Sequence, residues 1–411
     1  MNILVLNAGS SSQKMALYDL TYPLPDCPTD PLWKASIDWN QGELKIKTRQ
    51  GVDIQESIET TDPSLVLSEV LDRLCSSSTQ VIQDLGEIDI VGHRVVHGGR
   101  DYHESILIDP QVKAEIERLS CFAPIHNPAN LAGIVAIEKK LGDLPQVAVF
   151  DTAFHSHLPE ATKVYPLPYE WYEKGIQRYG FHGISHEYCA YRSAELLNRD
   201  LQDLRLIICH LGNGCSLSAV RNGQSIDTTM GFTPLEGLMM GSRSGSVDPG
   251  ILIYLLREEH YTVDQLDHLL NYESGLQGLS GKSGDMRQIL AAIAQQDSRA
   301  KLAFEVYIYR LRAQIGAMLA NLGGLDALVF TGGVGENQPL VRSSVCEGLD
   351  FLGIQIDSDR NLAQPMDDQV ISSEESPVKI VVVKTQEDWA IALECFKLSD
   401  EKCQFSPLSG H

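Results

Sequence analysis

The sequence predicts an α/β protein, and three observations support this prediction. Short apolar runs typical of buried strands lie at residues 2–6, 88–96 and 146–150. Segments with helical spacing of apolar residues lie between them, at 64–74 and 111–120. The pattern returns in the second half, where an apolar run starts at Leu206 and a long helical segment at 300–321 precedes another apolar run at 327–330. Strands that alternate with helices indicate an α/β sheet.

Chain length predicts two domains. The chain has 411 residues, of which 43% are hydrophobic, enough to bury more than one core. The third apolar run leads into Asp151-Thr152-Ala153-Phe154-His155, after which the strand pattern is rebuilt from Leu206. We therefore place the boundary near residue 150, with a first domain at 1–150 and a second that begins at 151.

Charge and cysteine content exclude several classes of function. The formal net charge of −22 opposes binding to nucleic acids and anionic membranes. Nine scattered cysteines without a C-x-x-C pair argue against a disulfide framework and a structural zinc site. The first apolar run lacks a basic leader, and no stretch approaches the roughly 20 apolar residues that span a bilayer. These features predict a cytoplasmic protein without nucleic-acid or membrane partners.

A glycine- and hydroxyl-rich turn occurs twice, each time between apolar runs. The first copy is Asn7-Ala8-Gly9-Ser10-Ser11-Ser12, and the second is His210-Leu211-Gly212-Asn213-Gly214. Glycine lets a backbone approach a ligand closely, and unpaired N–H groups in such turns bind anions. Two such turns in two related halves predict a polyphosphate ligand held between them.

A third glycine-rich turn, Thr331 to Asn337, follows the apolar run at 327–330. A strand that ends in such a turn often binds a nucleotide in an α/β sheet, although an ordinary tight turn has the same appearance. Gly281-Lys282-Ser283 resembles the end of a P-loop, but the first glycine that the motif requires would fall at Leu276. We therefore do not interpret that segment as a P-loop.

Two arginines stand in unusual surroundings. Arg94 lies among valines in a strand and needs an anion, for which a structural ion pair is the simpler explanation on this motif alone. Arg243 lies in the loop Gly241-Ser242-Arg243-Ser244-Gly245, where small neighbours leave room for a ligand. His93 with His97 and His182 with His186 have i,i+4 spacing, but they occur in a strand and a glycine-rich turn, so we do not predict a zinc site.

In its ordered motifs the chain resembles the acetate and propionate kinase family, within the superfamily of actin-like ATPases and sugar kinases. The motifs are Asn7 to Ser12, Gly92 to Gly99, Ala123 to Pro128, Phe150 to His155, Arg178 to Gly183, His210 to Gly214, Met230 to Gly237 and Thr331 to Asn337. The resemblance implies a duplicated ribonuclease-H-like βββαβαβα core, two domains around a central cleft, and a homodimer. It also implies that residues from about 388 to 411 return to the first domain, which leaves 151–387 for the second.

The same resemblance implies reversible transfer of the γ-phosphoryl group of ATP to acetate, with Mg²⁺ or Mn²⁺. It places Arg94, Arg243, Asp151 and His182 in catalysis, and Asn7 and Glu387 near the metal. The acetate pocket would use Arg94, Val96, Ile125, Phe181 and Pro234. The nucleotide would contact His210, Leu211, Gly212, Asn213 and Gly214, and also Gly332, Gly333, Val334, Gly335, Glu336 and Asn337. Ser10, Ser12, Lys14 and His126 complete the candidate residues.

The implied chemistry is physically consistent. A carboxylate nucleophile is already ionised at neutral pH, so catalysis reduces to positioning and to neutralising charge in an in-line transfer. Arginine side chains and a divalent cation offset the repulsion between the two anions. Propionate kinase remains an alternative, because one methylene changes binding in an apolar pocket by only about 1 to 3 kcal/mol. A nucleotide-switched binding protein of the same fold is a further alternative.

Three residues depart from the family pattern. Ser242 replaces the usual threonine and Ser246 the usual aspartate of a T-R-x-G-D-x-D-P motif, while Asp248 is retained. Loss of an acid close to Arg243 is expected to free that arginine or to change the hydrogen bonds of the loop. Ile125 stands where leucine is usual, which changes the shape of the substrate pocket more than its volume.

Overall fold

The computed structural model describes residues 1–411 except 10–11, 26, 40, 59–61, 125, 364–366 and 406–411; the side chains of residues 77 and 400–405 are also not described. The candidate residues Ser10 and Ile125 therefore lie outside the described part of the chain. The chain divides into two compact units, one of Met1–Ala153 with Gln386–His411 and one of Phe154–Thr385.

Strands are distributed over both units. In chain order they are β1 Asn2–Ala8, β2 Ser12–Asp19, β3 Trp33–Asp38, β4 Glu43–Thr48, β5 Asp53–Ser57, β6 Ile90–Val95, β7 Ile106–Leu107, β8 Gln146–Phe150, β9 Arg205–Leu211, β10 Cys215–Arg221, β11 Gln224–Thr228, β12 Ala327–Thr331, β13 Gln369–Val370 and β14 Lys379–Val382.

The helices connect and cover these strands. They are α1 Pro63–Asp72, α2 Pro110–Arg118, α3 Asn127–Leu141, α4 Glu160–Lys163, α5 Tyr169–Glu173, α6 Gly183–Leu197, α7 Pro249–Arg257, α8 Val263–Tyr272, α9 Gly275–Ser280, α10 Met286–Ala294, α11 Ser298–Leu322, α12 Gly332–Asn337, α13 Pro339–Glu347, α14 Ser358–Leu362 and α15 Glu387–Phe405. Single turns of 3-10 helix lie at 77–79, 85–87, 119–121, 153–155, 201–203 and 350–352.

The sheet of the first unit has the order β5-β4-β3-β2-β1-β6-β8-β7. From β1 to β5, each strand is antiparallel to the next, whereas β6 is parallel to β1 and β8 is parallel to β6. The carboxyl ends of β1, β6 and β8 therefore lie at the same edge of this sheet. Ligands commonly bind at such an edge.

The sheet of the second unit repeats this arrangement in the order β11-β10-β9-β12-β14-β13. Strands β9, β10 and β11 form an antiparallel meander, and β12 and β14 continue the sheet in parallel with β9. The order β3-β2-β1-β6-β8 in one unit thus corresponds to β11-β10-β9-β12-β14 in the other. The predicted α/β class and the duplicated ribonuclease-H-like core of the actin-like ATPase fold are confirmed.

Several helix starts follow directly from the sequence. Asp62, Asp109 and Asp248 each precede a proline, and each side chain accepts a hydrogen bond from a backbone N–H in the first turn of the helix that follows. Proline suits the first helical position because it lacks the N–H that would have no partner there. The Asp-Pro start predicted for α2 is confirmed. Helix α11 ends at Gly323, which has φ of +71°.

Helix α15 packs on β1 and β6 within the first unit. Its close approach depends on Gly92 of β6, where a Cβ atom would lie 2.5 Å from Cys395 Sγ and 2.6 Å from Ile391 Cγ2. Trp389, Ile391 and Cys395 are buried on the face that meets the sheet. Close packing thus fixes the helix whose first residues are Glu387 and Asp388.

One predicted element differs from the structure. Residues 332–337, predicted as a turn, form the short helix α12. Gly332 has φ of +75° and turns the chain directly from β12 into this helix. The described residues of the proline-rich stretch 22–31 form neither helix nor strand. Within the described ranges, every helix is too short or too polar to cross a membrane.

Candidate active site

A buried ion pair lies at the carboxyl ends of β6 and β8 in the first unit. Arg94 Nη2 lies 2.5 Å from Asp151 Oδ2, and the two side chains are 13% and 1% exposed. Asp151 is the first residue after β8, and its N–H donates to Val95 O at 2.9 Å. Arg94 Nη1 also donates to Asn7 Oδ1 at 3.3 Å. The anion that the sequence required for Arg94 is therefore supplied by the chain itself.

The charge on Arg94 is stabilised by its surroundings. Burial lowers the pKa of Arg94, but the carboxylates of Asp151, Glu387 and Asp388 outweigh that effect, and the net pKa is raised. Arginine in this setting remains a cation at every physiological pH. Its planar fork suits a second oxyanion, such as a carboxylate or phosphoryl group, in addition to Asp151.

Two acidic residues at the start of α15 converge on Asn7. Asn7 Nδ2 donates to Glu387 Oε2 at 3.1 Å and to Asp388 Oδ1 at 2.9 Å. Burial raises the pKa of Asp388, whereas the hydrogen bond from Asn7 and the charge of Lys14 oppose this shift. Lys14 of β2 lies opposite Asn7 in the β1–β2 register. Asp388 was not among the predicted site residues. The only feature of the sequence that points to it is its position next to Glu387.

These side chains fit a hard divalent cation by the chemistry of their donors. Asn7, Glu387 and Asp388 offer amide and carboxylate oxygens, which Mg²⁺ prefers to nitrogen or sulfur. No group of three or more His, Cys, Asp and Glu side chains within the described residues is arranged to enclose a metal ion.

The backbone that carries Val96 is held by α3. Asn130 Oδ1 accepts the Val96 N–H at 3.1 Å, and Asn127 Oδ1 accepts the His97 N–H at 3.1 Å. Val96 itself is buried. His126 directly precedes α3, and its backbone carbonyl accepts the Asn130 N–H at 2.9 Å. Neither asparagine was among the predicted site residues, although Asn127 lies within the Ala123 to Pro128 motif and Asn130 lies two residues after it.

Arg243 in the second unit has a different environment from Arg94. Its Nη1 donates to Pro234 O at 3.4 Å and lies 4.0 Å from Met240 Sδ. Burial lowers its pKa, and the groups that oppose this shift are Tyr272 and Cys215, neither of which is a carboxylate. A largely buried guanidinium in these surroundings is a natural binding site for an anionic ligand.

His182, which directly precedes α6, borders the same turn as Arg243. A Cβ atom placed on Gly214 would lie 3.4 Å from His182 Nε2 and 3.6 Å from Arg243 Nη1, so both side chains border the second repeated turn. His182 has φ of +58°, a left-handed conformation that costs a non-glycine residue about 1 kcal/mol or more. Its ring stacks on that of His210 with 4.2 Å between centroids. Backbone strain of this kind often marks a functional position.

The two glycine-rich turns of the second unit lie next to each other. Gly212 donates its N–H to Gly214 O at 2.9 Å, which closes the loop between β9 and β10. A Cβ atom on Gly332 would lie 2.7 Å from Leu211 O, so only glycine fits there without rearrangement. Asn213 meets the arginine loop, since its carbonyl accepts the Gly241 N–H at 3.0 Å.

Polar side chains of α12 bond to the protein itself. Glu336 Oε1 accepts the Thr385 N–H at 2.8 Å, and Asn337 Nδ2 donates to Gly333 O at 3.0 Å. Buried Arg342 donates to the carbonyls of Gly335 and Glu336 at 2.7 and 2.8 Å. Arg342 was not predicted. Gly333 and Val334 of this helix are, respectively, exposed and part-buried.

A second unpredicted arginine organises the loop that carries Pro234. Arg178 Nη1 donates to the carbonyls of three consecutive residues, Thr228, Thr229 and Met230, at 3.0 to 3.1 Å. Its Nη2 pairs with Glu236 Oε1 at 2.9 Å, and Glu236 also accepts from the Tyr165 hydroxyl. Buried Phe181 lies three residues after Arg178. The motif at 178–183 thus carries both the loop support and the candidate catalytic histidine.

The departures in the arginine loop have structural partners. Ser246 Oγ accepts the Gly237 N–H at 3.0 Å, and Ser242 Oγ donates to Asn271 O at 2.9 Å. Ser246 therefore closes the loop with a neutral oxygen, and Arg243 remains without a carboxylate among the groups that act on its pKa.

The predicted residues fall into two sets. In the first unit, the structure brings Asn7, Arg94, Asp151 and Glu387 together, with Lys14 across the strand pair from Asn7. In the second unit, His182, His210, Gly214, Arg243 and Pro234 are neighbours. The first set lies at the carboxyl ends of β1, β6 and β8, and the second lies around the turn between β9 and β10.

Comparison with known proteins places these motifs in one family. The model of the acetokinase family matches residues 2–393. The acetate kinase of Gloeobacter violaceus is 60% identical over 406 residues, which cover 97% of this chain and 99% of that protein. The acetate kinase of Cyanothece sp. is 58% identical over 409 residues, which cover 98% of this chain and 100% of that protein.

Solved structures agree with the sequence comparison. The acetate kinase of Porphyromonas gingivalis is similar with a TM-score of 0.89 and 42% identity, covering 97% of this chain and 99% of that one. A propionate kinase from Francisella tularensis is similar with a TM-score of 0.87 and 37% identity, covering 96% and 99%. The chain therefore belongs to the acetokinase family.

Proposed function

We propose that the protein catalyses reversible transfer of the γ-phosphoryl group of ATP to acetate, giving acetyl phosphate and ADP. The observation that carries this proposal is the environment of Arg243. Its guanidinium and the ring of His182 both border the turn at Gly214, and among the described residues no carboxylate acts on its pKa. A cation in this position is suited to the negative charge of a phosphoryl group during transfer.

The residues of the first unit have complementary roles in this proposal. Arg94, held by Asp151 and Asn7, binds an oxyanion of the acceptor or of the phosphoryl group. Val96 of the same unit contributes apolar surface for the methyl group of acetate. The acceptor needs no general base, because a carboxylate is ionised at neutral pH. A single arginine that acts on a transferring phosphoryl group contributes roughly 10³ to 10⁵ in rate.

Mg²⁺, with Mn²⁺ as a substitute, completes the proposed site. Asn7, Glu387 and Asp388 would hold the ion directly or through water, since the two carboxylates converge on the Asn7 amide. When bound, the ion supplies positive charge that neutralises the polyphosphate. The nucleotide would lie along the backbone at 210–214 and 332–337, where glycines allow close approach.

A homodimer is part of the same proposal, and α7 supports it. Six consecutive apolar residues, Ile251 to Leu256, lie on this helix, and none of its residues is buried. Ile251, Ile253 and Tyr254 are each about half exposed. A helix that is apolar on all faces is normally buried against protein or lipid. We infer that a second copy of the chain covers it.

We also infer a cytoplasmic location. The eight described cysteines carry free thiols. Reducing conditions in the cytoplasm maintain that state.

The reaction can be tested with a hydroxylamine trap. Purified protein is incubated with ATP, Mg²⁺, hydroxylamine and either acetate, propionate or butyrate, and acyl hydroxamate is measured. We expect hydroxamate from acetate, with smaller kcat/KM for the longer acids because each added methylene must fit the pocket. A higher kcat/KM for propionate would make the protein a propionate kinase. Slow phosphate release without hydroxamate would contradict the proposal and favour a nucleotide-switched binding protein.

A further inference from the structure

A buried serine links His182 to a second histidine. Ser216 Oγ lies 2.9 Å from His182 Nδ1 and 2.7 Å from His186 Nε2. Ser216 and His186 are both fully buried, and the two histidines are four residues apart at the start of α6. One hydroxyl therefore joins the ring that borders Gly214 to a ring inside the core.

The hydroxyl has one proton, and these two rings are its only hydrogen-bond partners among the described residues, so it donates one of the two bonds and accepts the other. If it donates to His182 Nδ1, it must accept from His186 Nε2, and the reverse assignment exchanges both roles. In the first arrangement His182 Nδ1 accepts from Ser216, so neutral His182 carries its proton on Nε2. In the reverse arrangement Nδ1 carries the proton and donates it to Ser216. The Ser216–His186 pair is thus coupled to the tautomer of His182.

His186 favours one of the two arrangements. Its Nδ1 is buried and makes no hydrogen bond to any described residue. An N–H group left without an acceptor in a protein interior is rare and costly. The proton of neutral His186 is therefore expected on Nε2, where it donates to Ser216 Oγ.

His186 remains neutral in this environment. Burial is the main cause that holds its pKa well below the ordinary value, and the nearby His155 and His210 rings add to it. A neutral imidazole has a single N–H, so protonation at Nε2 leaves Nδ1 as a bare lone pair. This agrees with the position of Nδ1 in the core.

We propose that the Ser216–His186 pair positions the proton of His182 on Nε2, the atom that borders Gly214 and Arg243. In this arrangement His186 Nε2–H donates to Ser216, Ser216 O–H donates to His182 Nδ1, and His182 Nε2 carries the N–H. His182 then acts as a hydrogen-bond donor toward the transferring phosphoryl group even when it is uncharged. Ser216 and His186 are positioning residues, and this role rests on the proposed phosphoryl transfer.

The tautomer can be measured directly. In protein labelled with ¹⁵N-histidine, two-bond ¹⁵N–¹H correlations at pH 7.5 distinguish an Nδ1–H from an Nε2–H ring, and the His182 signals are those lost in His182→Gln. We expect the Nε2–H tautomer in the unsubstituted protein and a population of the Nδ1–H tautomer in Ser216→Ala. An Nδ1–H ring in the unsubstituted protein, or an unchanged tautomer in Ser216→Ala, would overturn the proposal. This measurement needs no substrate, so its outcome is independent of whether acetate is phosphorylated.

Kinetics separate positioning from a general loss of structure. Ser216→Ala is expected to lower kcat between about twofold and tenfold, the value of one buried hydrogen bond, with little change in KM for ATP or acetate. The matched control is Ser218→Ala, which removes a buried hydroxyl from the same strand that bonds Ser225 instead. We expect this control to retain the kcat of the unsubstituted protein.

Substitutions at His186 give a second, independent comparison. His186→Gln keeps an N–H donor for Ser216 and should retain kcat and the His182 tautomer. His186→Phe keeps a ring of similar shape without a donor and should lower kcat and mix the tautomers. Equal effects of the two substitutions, with both proteins folded, would also contradict the proposal.

Discussion

At the scale of single residues, two arginines with the same charge have opposite surroundings. Arg94 has a carboxylate partner in Asp151 at 2.5 Å, whereas the groups that act on the pKa of Arg243 include no carboxylate. A buried cation without a fixed counterion is stabilised most when an anion binds. Arg94 is therefore held in place by Asp151 before a ligand binds, whereas the charge of Arg243 is stabilised mainly when an anionic ligand binds.

Buried histidines predict how stability depends on pH. Burial lowers the pKa of His93 to about 4, although its hydrogen bond to Gln146 at 2.7 Å opposes that shift. In the unfolded chain the pKa returns to its ordinary value near 6.5, so below that pH the unfolded state binds a proton that the folded state does not. The stabilisation is thus complete above about pH 6.5 and is lost as pH falls toward about 4.

We expect this loss to amount to about 2 kcal/mol for His93 between pH 7.5 and pH 5. The measurement is the urea midpoint of the first unit's unfolding at both pH values, compared with that of His93→Gln. The variant should lose less stability on acidification than the unsubstituted protein, whatever its stability at pH 7.5. An equal loss in both proteins would show that His93 is not responsible.

The sequence predicted some site residues and missed others for physical reasons. Arg94 could be singled out because an arginine among valines needs an anion, and Arg243 because its small neighbours leave room for a ligand. Asp388 and Arg178 could not, because an acidic residue in a helix start and an arginine before a tyrosine are common on protein surfaces. Their roles depend on tertiary contacts with Asn7 and with the loop at 228–236.

At the scale of secondary structure, periodicity predicted the buried elements best. Strand β8 has the predicted bounds, and α11 extends only a residue or two beyond the predicted segment at each end. The error at α12 arose because three glycines in six residues disfavour a helix, whereas the contacts of Arg342 with two of its carbonyls stabilise one. Local propensity was overridden there by a long side chain from a later helix.

Packing of α15 on β6 leads to a prediction about Gly92. Substitution Gly92→Ala places a methyl group 2.5 Å from Cys395 Sγ and 2.6 Å from Ile391 Cγ2, so the helix must shift. Overpacking of this kind costs about 1 to 3 kcal/mol. Because α15 begins with Glu387 and Asp388, we also expect a raised Mg²⁺ requirement for activity.

The matched control for Gly92→Ala is Gly133→Ala in α3, where an added Cβ has no atom within 4 Å. Thermal unfolding and Mg²⁺ titration of activity check both variants. Loss of stability in Gly133→Ala alone, or in neither protein, would contradict the packing argument.

At the scale of the whole molecule, the duplicated sheet explains why the functional motifs recur. The turn after β1 and the turn after β9 both join an antiparallel pair, and each is closed by a glycine N–H, from Gly9 to Ser12 O and from Gly212 to Gly214 O. The two halves also share the order of their strands, which no local sequence pattern encodes.

The exposed apolar helix α7 predicts the oligomeric state. We expect the protein to sediment as a dimer, and Ile253→Asp to shift it toward monomer because a carboxylate would be buried in the contact. Leu65→Asp, at a residue of similar exposure on α1, is the control and should remain dimeric. Analytical ultracentrifugation at micromolar concentration distinguishes these outcomes. A monomeric unsubstituted protein, or a dimer that tolerates Ile253→Asp, would place the contact elsewhere.

If Arg243 stabilises the phosphoryl group during transfer, its replacement by alanine must slow steady-state turnover. Acetyl phosphate formation is measured with saturating ATP, acetate and Mg²⁺, beside Arg287→Ala, which removes an exposed arginine of the same unit. We expect kcat to fall more than about a hundredfold in Arg243→Ala and to be unchanged in the control. Near-normal turnover by folded Arg243→Ala would contradict this role of Arg243.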